Sequence, residues 1–222
     1  GSMVSCNSNF SAERANEVYG IEAGVLWPCV DTDEFPEEAT GDPENPYTEA
    51  GAYVVSVGRA SFAKGTWETI SMLSGTGLSL AHVGGGDDTS IEMLRSHAES
   101  CGVGMWVAPR LPSPELVSLM RGARAMVSMA HKESFGLTPI ESFAVGTPPI
   151  FVDEGGFRDT IVDGENGRLI GREDIESWHS ALEQASDQST REGWAISGRE
   201  RISELDLSPD AHARRIMDLI SG

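Results

Sequence analysis

Five short apolar segments constrain the fold of this chain more than any other feature of its sequence. Each is bounded by Gly or Pro, and they occupy residues 52–58, 78–84, 104–109, 124–130 and 148–153. Continuous apolar runs of this length are typical of parallel strands that helices cover on both faces. Helix-like segments lie between the first four strands, at residues 64–75, 89–102 and 113–123. This alternation predicts a doubly wound, mostly parallel, Rossmann-like α/β sheet.

The first fifty residues differ from this pattern. Residues 11–20 predict a helix that Gly20 closes, and residues 24–30 predict a strand. Residues 31–51 are acidic and carry three prolines, which predicts a surface loop.

The expected domain organisation follows from these segments. Residues 1–3, Gly-Ser-Met, resemble an expression scar and are set aside. Residues 4–185 form the predicted Rossmann-like domain, and residues 186–222 form a helical C-terminal tail that packs on it. Ser113 is the predicted N-cap of the third helix, with Pro114 at its first helical position.

Charge and composition exclude several classes of partner. The formal net charge of −19 argues against nucleic acid, which requires a basic surface, and against anionic lipid. No apolar run approaches the length of a membrane span, so we expect a cytoplasmic protein. The three cysteines form no C-x-x-C pair, so neither a disulfide framework nor a zinc site is expected.

Candidate ligand-binding residues follow the first predicted strand. In open α/β sheets, ligands bind at the carboxyl ends of strands, near the point where the strand order reverses. Arg59 and Lys64, one of only two lysines, share the turn after residues 52–58. Arginine can bind phosphate oxygens with a fork of two hydrogen bonds, and lysine can add a mobile positive charge. Taken alone, the pair is better explained as exposed surface charge that meets solvent or a carboxylate.

The turns after the next two strands give weaker signals. Gly84, Gly85 and Gly86 permit a close backbone approach to a ligand, but the segment is not the G-x-G-x-x-G of dinucleotide-binding proteins. A flexible turn explains the glycines as well as a pocket lining does. Arg110 and Leu111 are candidates to meet a nucleobase, although a plain connection is the simpler interpretation.

The strongest candidate site follows residues 124–130. Pro139 is suited to the first turn of a helix, where its missing N–H costs little. The backbone amides just before it would then point outward at a helix N-terminus, which favours anions. These amides, together with a glycine that allows close approach and a hydroxyl, are predicted to bind phosphate: Phe135, Gly136, Leu137 and Thr138. Two carboxylates that suit sugar hydroxyls flank them, Glu133 and Glu141.

The segment ESFGLTPIE, residues 133–141, resembles the E-x7-E motif of GT-B-fold glycosyltransferases of the group 1, or family 4, type. Further segments that resemble this family follow in the expected order, at residues 4–35, 57–65, 82–86 and 144–170. The resemblance covers residues 4–185 and implies the C-terminal half of a GT-B fold.

The resemblance also implies a role for each candidate. Arg59 and Lys64, with the amides of Phe135, Gly136 and Leu137 and the Thr138 hydroxyl, would hold the diphosphate of a nucleotide-sugar donor. Glu141 would bind the ribose, and Glu133 would position the transferred sugar as the catalytic-site carboxylate. Arg110, Leu111, Gly84 and Gly85 would line the base pocket. The family works without a metal or cofactor and usually retains the anomeric configuration.

We therefore expect the donor-binding domain of a retaining glycosyltransferase. The N-terminal, acceptor-binding domain of that family is expected to be missing, so the chain alone would bind donor without transferring sugar. Two alternatives stay open on the same fold, a nucleotide-sugar epimerase and a non-catalytic nucleotide-sugar-binding module. The base, the sugar and the acceptor are not indicated by the sequence.

Overall fold

The computed structural model describes residues 3–31, 35, 45–47 and 49–221 of the chain. The strands, in chain order, are β1 (Ser5–Cys6), β2 (Gly24–Val25), β3 (Tyr53–Val57), β4 (Ser79–Val83), β5 (Met105–Ala108), β6 (Met126–Ser128), β7 (Pro149–Val152) and β8 (Arg168–Ile170). The α-helices are α1 (Asn9–Tyr19), α2 (Thr66–Leu73), α3 (Asp88–Cys101), α4 (Ser113–Gly122), α5 (Thr138–Val145), α6 (Ile175–Gln184), α7 (Gln188–Leu205) and α8 (Pro209–Ser221). Short 3₁₀ helices occupy Phe62–Lys64 and Gly155–Asp159.

The main sheet has six parallel strands in the order β5-β4-β3-β6-β7-β8. The chain builds outward from β3 to one side, then returns and builds outward from β6 to the other. The strand order therefore reverses between β3 and β6, which are hydrogen-bonded neighbours. The predicted doubly wound α/β fold with a helical C-terminal tail is confirmed.

Burial of consecutive strand residues explains why the apolar runs were continuous rather than alternating. Val54 and Val55 in β3 are both 0% exposed, as are Phe151 and Val152 in β7. Neighbouring residues of a strand point to opposite faces, so both faces of the central sheet lie in the core. The short edge strand β8 was not predicted, because Arg168 and Leu169 are only partly buried and give no apolar run.

Two local predictions were wrong. The strand expected over residues 24–30 is confined to Gly24–Val25, which pairs with β1 in a separate two-stranded parallel sheet. The N-cap of α4 is Pro112 rather than Ser113, because the Pro112 carbonyl accepts the first helical hydrogen bonds, from the amides of Glu115 and Leu116 at 3.1 and 3.0 Å. The loop predicted over residues 31–51 lies largely outside the described residues.

The amino-terminal segment packs against the loop that follows β6. The Trp27 ring meets the Phe135 ring edge-on, with centroids 5.6 Å apart. The carbonyl oxygen of Trp27 lies 2.7 Å from Nδ1 of His212 in α8. Both ends of the described chain thus contribute to the position of Phe135. Within the described ranges, none of the helices has the length and hydropathy to cross a bilayer.

Stability should fall in acid because of His82, which lies in β4 and is 1% exposed. Burial lowers the pKa of His82 to about 4, although a bond to the backbone of Gly58 opposes the shift. Between about pH 6.5 and pH 4 the unfolded chain binds a proton that the folded chain rejects. We expect the free energy of unfolding to drop by about 2–3 kcal/mol from this residue between pH 7 and pH 4.5.

Urea unfolding of wild type and His82→Gln at both pH values tests this expectation. The variant should lose less stability than wild type on acidification, whatever its stability at pH 7. His97→Gln, at a partly exposed histidine, is the matched control and should keep the wild-type pH dependence. An unchanged dependence in His82→Gln would contradict the assignment.

A second test concerns Gly65, which joins the 3₁₀ helix Phe62–Lys64 to α2 at φ 65°. A Cβ there would lie 1.9 Å from the backbone oxygen of Met129, the residue after β6 (Met126–Ser128). Gly75 has φ 79° but open space around the added atom. Both alanine variants should lose about 1–2 kcal/mol of stability because alanine disfavours left-handed backbone, so Gly75→Ala measures that loss alone. We expect Gly65→Ala to lose on the order of 4 kcal/mol or fail to fold. Similar losses in urea unfolding would refute the close approach.

Candidate active site

The predicted site residues lie at the carboxyl ends of β3 and β6, on the two sides of the strand reversal. The turn after β3 carries Arg59 and Lys64, and the loop after β6 carries Glu133. Connections from neighbouring parallel strands diverge at such a reversal and leave a crevice between them. The fold therefore places the predicted cations and carboxylates at the same edge of the sheet.

An ion pair joins these two connections. Lys64 Nζ lies 2.5 Å from Glu133 Oε2, across 69 residues of sequence. The two side chains are 40% and 24% exposed, and such partly exposed pairs typically contribute about 1 kcal/mol or less. The structure thus brings together two residues for which sequence reasoning predicted different ligand groups. Because the pair is weak, a phosphate oxygen can replace Glu133 beside Lys64, or bind Lys64 together with Glu133.

Arg59 stands apart from this pair. It is exposed in the turn after β3. Across the described ranges, its guanidinium has no hydrogen bond or ion pair. Its five N–H donors are therefore open to a ligand.

The amino end of α5 has the form that the sequence predicted. Pro139 lies in its first turn, and Gly136 precedes it with φ 80°. Leu137 occupies the N-cap position, where its apolar side chain makes no capping hydrogen bond. Five other helices have a polar side chain that accepts a hydrogen bond from a first-turn amide, those of Ser8, Asp87, Asp174, Asp187 and Ser208. The first amides of α5 thus keep their donor capacity, which suits an anion.

The residues at this helix start contribute in different ways. The Phe135 side chain is 2% exposed and belongs to the core, so only its backbone can meet a ligand. Gly136 is buried, and an added Cβ would lie 2.5 Å from the Phe157 ring. Leu137 is 44% exposed, and Thr138 is partly buried. Glu141 is partly buried in the first turn of α5.

The glycine turn after β4, at Gly84–Gly85, packs against and hydrogen-bonds to the turn that carries Arg59. A Cβ on Gly84 would lie 2.5 Å from the backbone oxygen of Gly58. The amides of Gly84 and Gly85 both donate to the Ala108 oxygen at 3.1 Å, and the Gly85 oxygen accepts from the Ala60 amide at 2.7 Å. These bonds support the structural interpretation of the turn and leave its role as a pocket lining a prediction. Arg110 is exposed and Leu111 packs partly on the core.

Sequence reasoning missed an arginine that braces the end of β6. Arg172 follows β8 and donates through Nη1 to the Met129 oxygen at 2.7 Å. It also donates through Nε to Glu154 Oε1 at 3.0 Å. Burial by itself raises the pKa of Glu154, but the hydrogen bond and positive charge of Arg172 outweigh it, so the pKa is lowered.. Nearby, His131 Nε2 lies 2.6 Å from Glu68 Oε1 and ties the loop to α2. No local pattern signals contacts between such distant segments.

The loop after β7 supports Glu133 from the other side. The Gly156 amide donates to the backbone carbonyl oxygen of Glu133 at 2.7 Å. A Cβ on Gly155 would lie 2.4 Å from that same oxygen, and one on Gly156 would lie 2.4 Å from the Ser134 oxygen. The paired glycines after an apolar strand were the signal in the sequence for this close backbone packing.

Charge distinguishes the predicted site from one of the other concave surfaces. A cleft of about 810 Å³ between α2 and α3 includes Trp67, Met93 and His97 in its lining but no arginine or lysine. It offers no counter-charge to a phosphate. The strand reversal combines two cations, helix amides and two carboxylates, which is the chemistry that binds a phosphate between hydroxyl groups.

Comparisons with known proteins identify related sequences and structures. The family model for "Glycosyl transferases group 1" matches residues 41–201. The glycogen synthase of Mycobacterium tuberculosis (strain CDC 1551 / Oshkosh) is 26% identical over 224 residues, which cover 96% of this chain and 52% of that protein. The chain thus spans about half the length of this relative.

Two solved structures share the fold. Sucrose-phosphate synthase from Thermosynechococcus elongatus superposes with a TM-score of 0.83 at 22% identity, covering 99% of this chain and 57% of that one. HepE from Anabaena, in complex with UDP-glucose, superposes with a TM-score of 0.78 at 16% identity, covering 100% and 64%. These likenesses show the GT-B type of fold. Because the family model covers most of the sequence, the chain belongs to the group 1 glycosyltransferases.

Proposed function

We propose that this chain is the C-terminal, donor-binding domain of a retaining, metal-independent glycosyltransferase of the E-x7-E, or family 4, type. The whole enzyme transfers a sugar from a nucleoside diphosphate to an acceptor hydroxyl, and its N-terminal half supplies the acceptor site. The observation that carries the proposal is the Lys64–Glu133 pair, 2.5 Å apart, which joins the cationic turn to the two-carboxylate segment. HepE, which shares the fold, binds UDP-glucose, which supports a UDP-sugar as the donor.

The cations and helix amides act on the diphosphate. Arg59 binds two phosphate oxygens in a fork, and Lys64 adds its charge from the same turn. The amides at the start of α5 point their N–H groups at the remaining oxygens. When the bond to the sugar breaks, negative charge develops on the departing diphosphate. Donors that are already in place stabilise that charge without reorganising, so these residues supply the role that a metal has in other transferases.

The carboxylates act on the hydroxyls at the two ends of the diphosphate. Glu141, in the first turn of α5, accepts hydrogen bonds from the ribose hydroxyls. Glu133, before the helix, accepts hydrogen bonds from the transferred sugar and holds it beside Lys64. The order Glu133, helix amides, Glu141 then matches the order sugar, diphosphate, ribose along the donor. The turns at Gly84–Gly85 and Arg110–Leu111 line the base.

Replacement of Arg59 by alanine tests the diphosphate site. Charged hydrogen bonds to phosphate are worth roughly 1.5–3 kcal/mol, so Arg59→Ala should weaken UDP binding by about 10- to 100-fold. Isothermal calorimetry on the 222-residue chain measures this loss. Arg95→Ala, a change at an exposed arginine on α3, is the control and should keep wild-type affinity. Equal UDP affinities for wild type and Arg59→Ala would show that Arg59 is surface charge only.

Substitution of each glutamate should change the affinities for UDP and UDP-glucose in a different pattern. Glu141→Gln removes a ribose contact common to both, so it should weaken both by a similar factor. Glu133→Gln should weaken only UDP-glucose. It should leave UDP at or above wild-type affinity, because Lys64 loses its internal partner and becomes available to phosphate. The pattern should not depend on added Mg²⁺.

Calorimetric titration of both ligands into both variants decides the assignment, with melting temperatures as a check on folding. If both glutamates are structural, both variants lose melting temperature and neither discriminates between the ligands. Equal losses of the two ligands in Glu133→Gln would also sink the proposed role of that residue.

A further inference from the structure

A second cationic surface, a cavity, lies at the other end of the strands, where they begin. It has a volume of about 350 Å³, and its lining includes Gly51, Arg121, Arg124, Ser186, Gln188 and Arg191. Gly51 precedes β3 and Arg124 precedes β6, so the cavity lies at the amino ends of the strands whose carboxyl ends carry Arg59 and Glu133. It is therefore separate from the site described above.

Two of its arginines are held by backbone carbonyls. Arg124 donates through Nε to the Gly51 oxygen at 3.1 Å. Arg191 donates through Nη1 to the Ala185 oxygen at 3.0 Å and through Nη2 to the Ala123 oxygen at 3.2 Å. Ala123 and Ala185 are the C-caps of α4 and α6, where carbonyls are unpaired and positive charge is favourable. These contacts fix the two guanidinium groups in place.

The same two arginines lack acidic partners. In the described part of the chain, neither Arg124 nor Arg191 forms an ion pair with a carboxylate, although 35 acidic residues face only 16 basic ones in the sequence. Burial and the positive charge of Arg124 lower the pKa of Arg191. By contrast, carboxylate partners are present for Arg14, Arg158, Arg168, Arg172, Arg201 and Arg214. Two neighbouring positive charges without a carboxylate partner would be stabilised by an external anion.

The remaining donors match a phosphate group. A guanidinium has five N–H donors, and the contacts to carbonyls use only part of them in each arginine. Arginine presents the rest in a fork that fits phosphate oxygens. The Gln188 side-chain amide also lines the cavity: one of its two N–H groups donates to Glu192 Oε1 at 2.7 Å, and the other is an uncharged donor. Since one water takes up about 30 Å³ of liquid, the cavity has room for a phosphate with a small organic substituent.

We propose that this cavity binds a phosphate group, either as inorganic phosphate or as a small phosphate monoester, at a site distinct from the donor site. The proposal does not depend on the proposed transferase function, because it stands on the arginines and the cavity alone.

Thermal unfolding tests the proposal with two probes, inorganic phosphate and glycerol 3-phosphate. Each is added at millimolar concentration against sodium chloride of matched ionic strength. All measurements use the Arg59→Ala background, so that phosphate binding at the donor site is suppressed. We expect at least one probe to raise the Tm by about 2 °C or more beyond chloride. The probe with the larger shift identifies the preferred source of the phosphate group.

Variants in the cavity locate the effect. Arg191→Gln should lose the shift, Arg191→Lys should keep part of it, and Arg95→Gln, a control at an exposed arginine, should keep all of it. Because Arg191 also holds carbonyls, its loss can impair folding. Gln188→Glu, at an exposed position on the rim, therefore serves as the second variant and should abolish the shift by repulsion while the protein stays folded.

Two results would overturn the proposal. One is a Tm that phosphate raises no more than chloride does. The other is a phosphate shift that survives in Gln188→Glu, since binding would then lie elsewhere on the surface.

Discussion

The pairing of β3 with β6 is the constraint on which the candidate site depends. These strands are neighbours in the sheet although about 70 residues separate them in sequence. The chain leaves β3 toward one edge of the sheet and leaves β6 toward the other, and right-handed crossovers then carry the helices to opposite faces. The connections that follow the two strands therefore lie beside each other at the carboxyl ends of the strands. Arg59, Lys64 and Glu133 meet there for that reason.

Glycines allow the connections around this crevice to touch backbone to backbone. Gly65 lies against the Met129 oxygen, Gly84 against the Gly58 oxygen, and Gly156 against the Ser134 oxygen. Any side chain at these positions would push the loops apart. The loops therefore hold each other in position without a ligand, and such preorganisation lowers the entropic cost of binding a substrate in one geometry. Arg172 adds a polar brace to the same loops.

The sequence predicted those parts of the structure that local patterns encode. Runs such as residues 52–58 gave the strands, and Pro139 with Gly136 gave the start of α5. Edges and long-range contacts were not predictable in this way. The strand β8 lacks an apolar run because one side of it is exposed, and Arg172 reaches β6 across 43 residues that carry no shared motif.

The candidate site likewise has features that the sequence predicted and features that it did not. The sequence placed Lys64 and Glu133 at the ends of strands, and the reversal of strand order brought them together. Their direct ion pair was not predicted, because it depends on side-chain geometry and on the absence of a nearer partner. The roles assigned to Arg59, Glu133 and Glu141 remain predictions, since they concern contacts with a ligand rather than contacts within the chain.

The Lys64–Glu133 pair has a consequence for how the site responds to salt. In the proposed donor complex, phosphate competes with the solution anions that screen the exposed Arg59, so the contribution of Arg59 weakens as salt concentration rises. Lys64 already has a counter-ion that is covalently part of the protein. If phosphate replaces Glu133 beside Lys64, as proposed, the lysine releases a carboxylate of the same chain rather than an anion from solution. The proposed phosphate contacts of these two cations therefore differ: that of Arg59 competes with anions in solution, and that of Lys64 competes with a carboxylate of the chain.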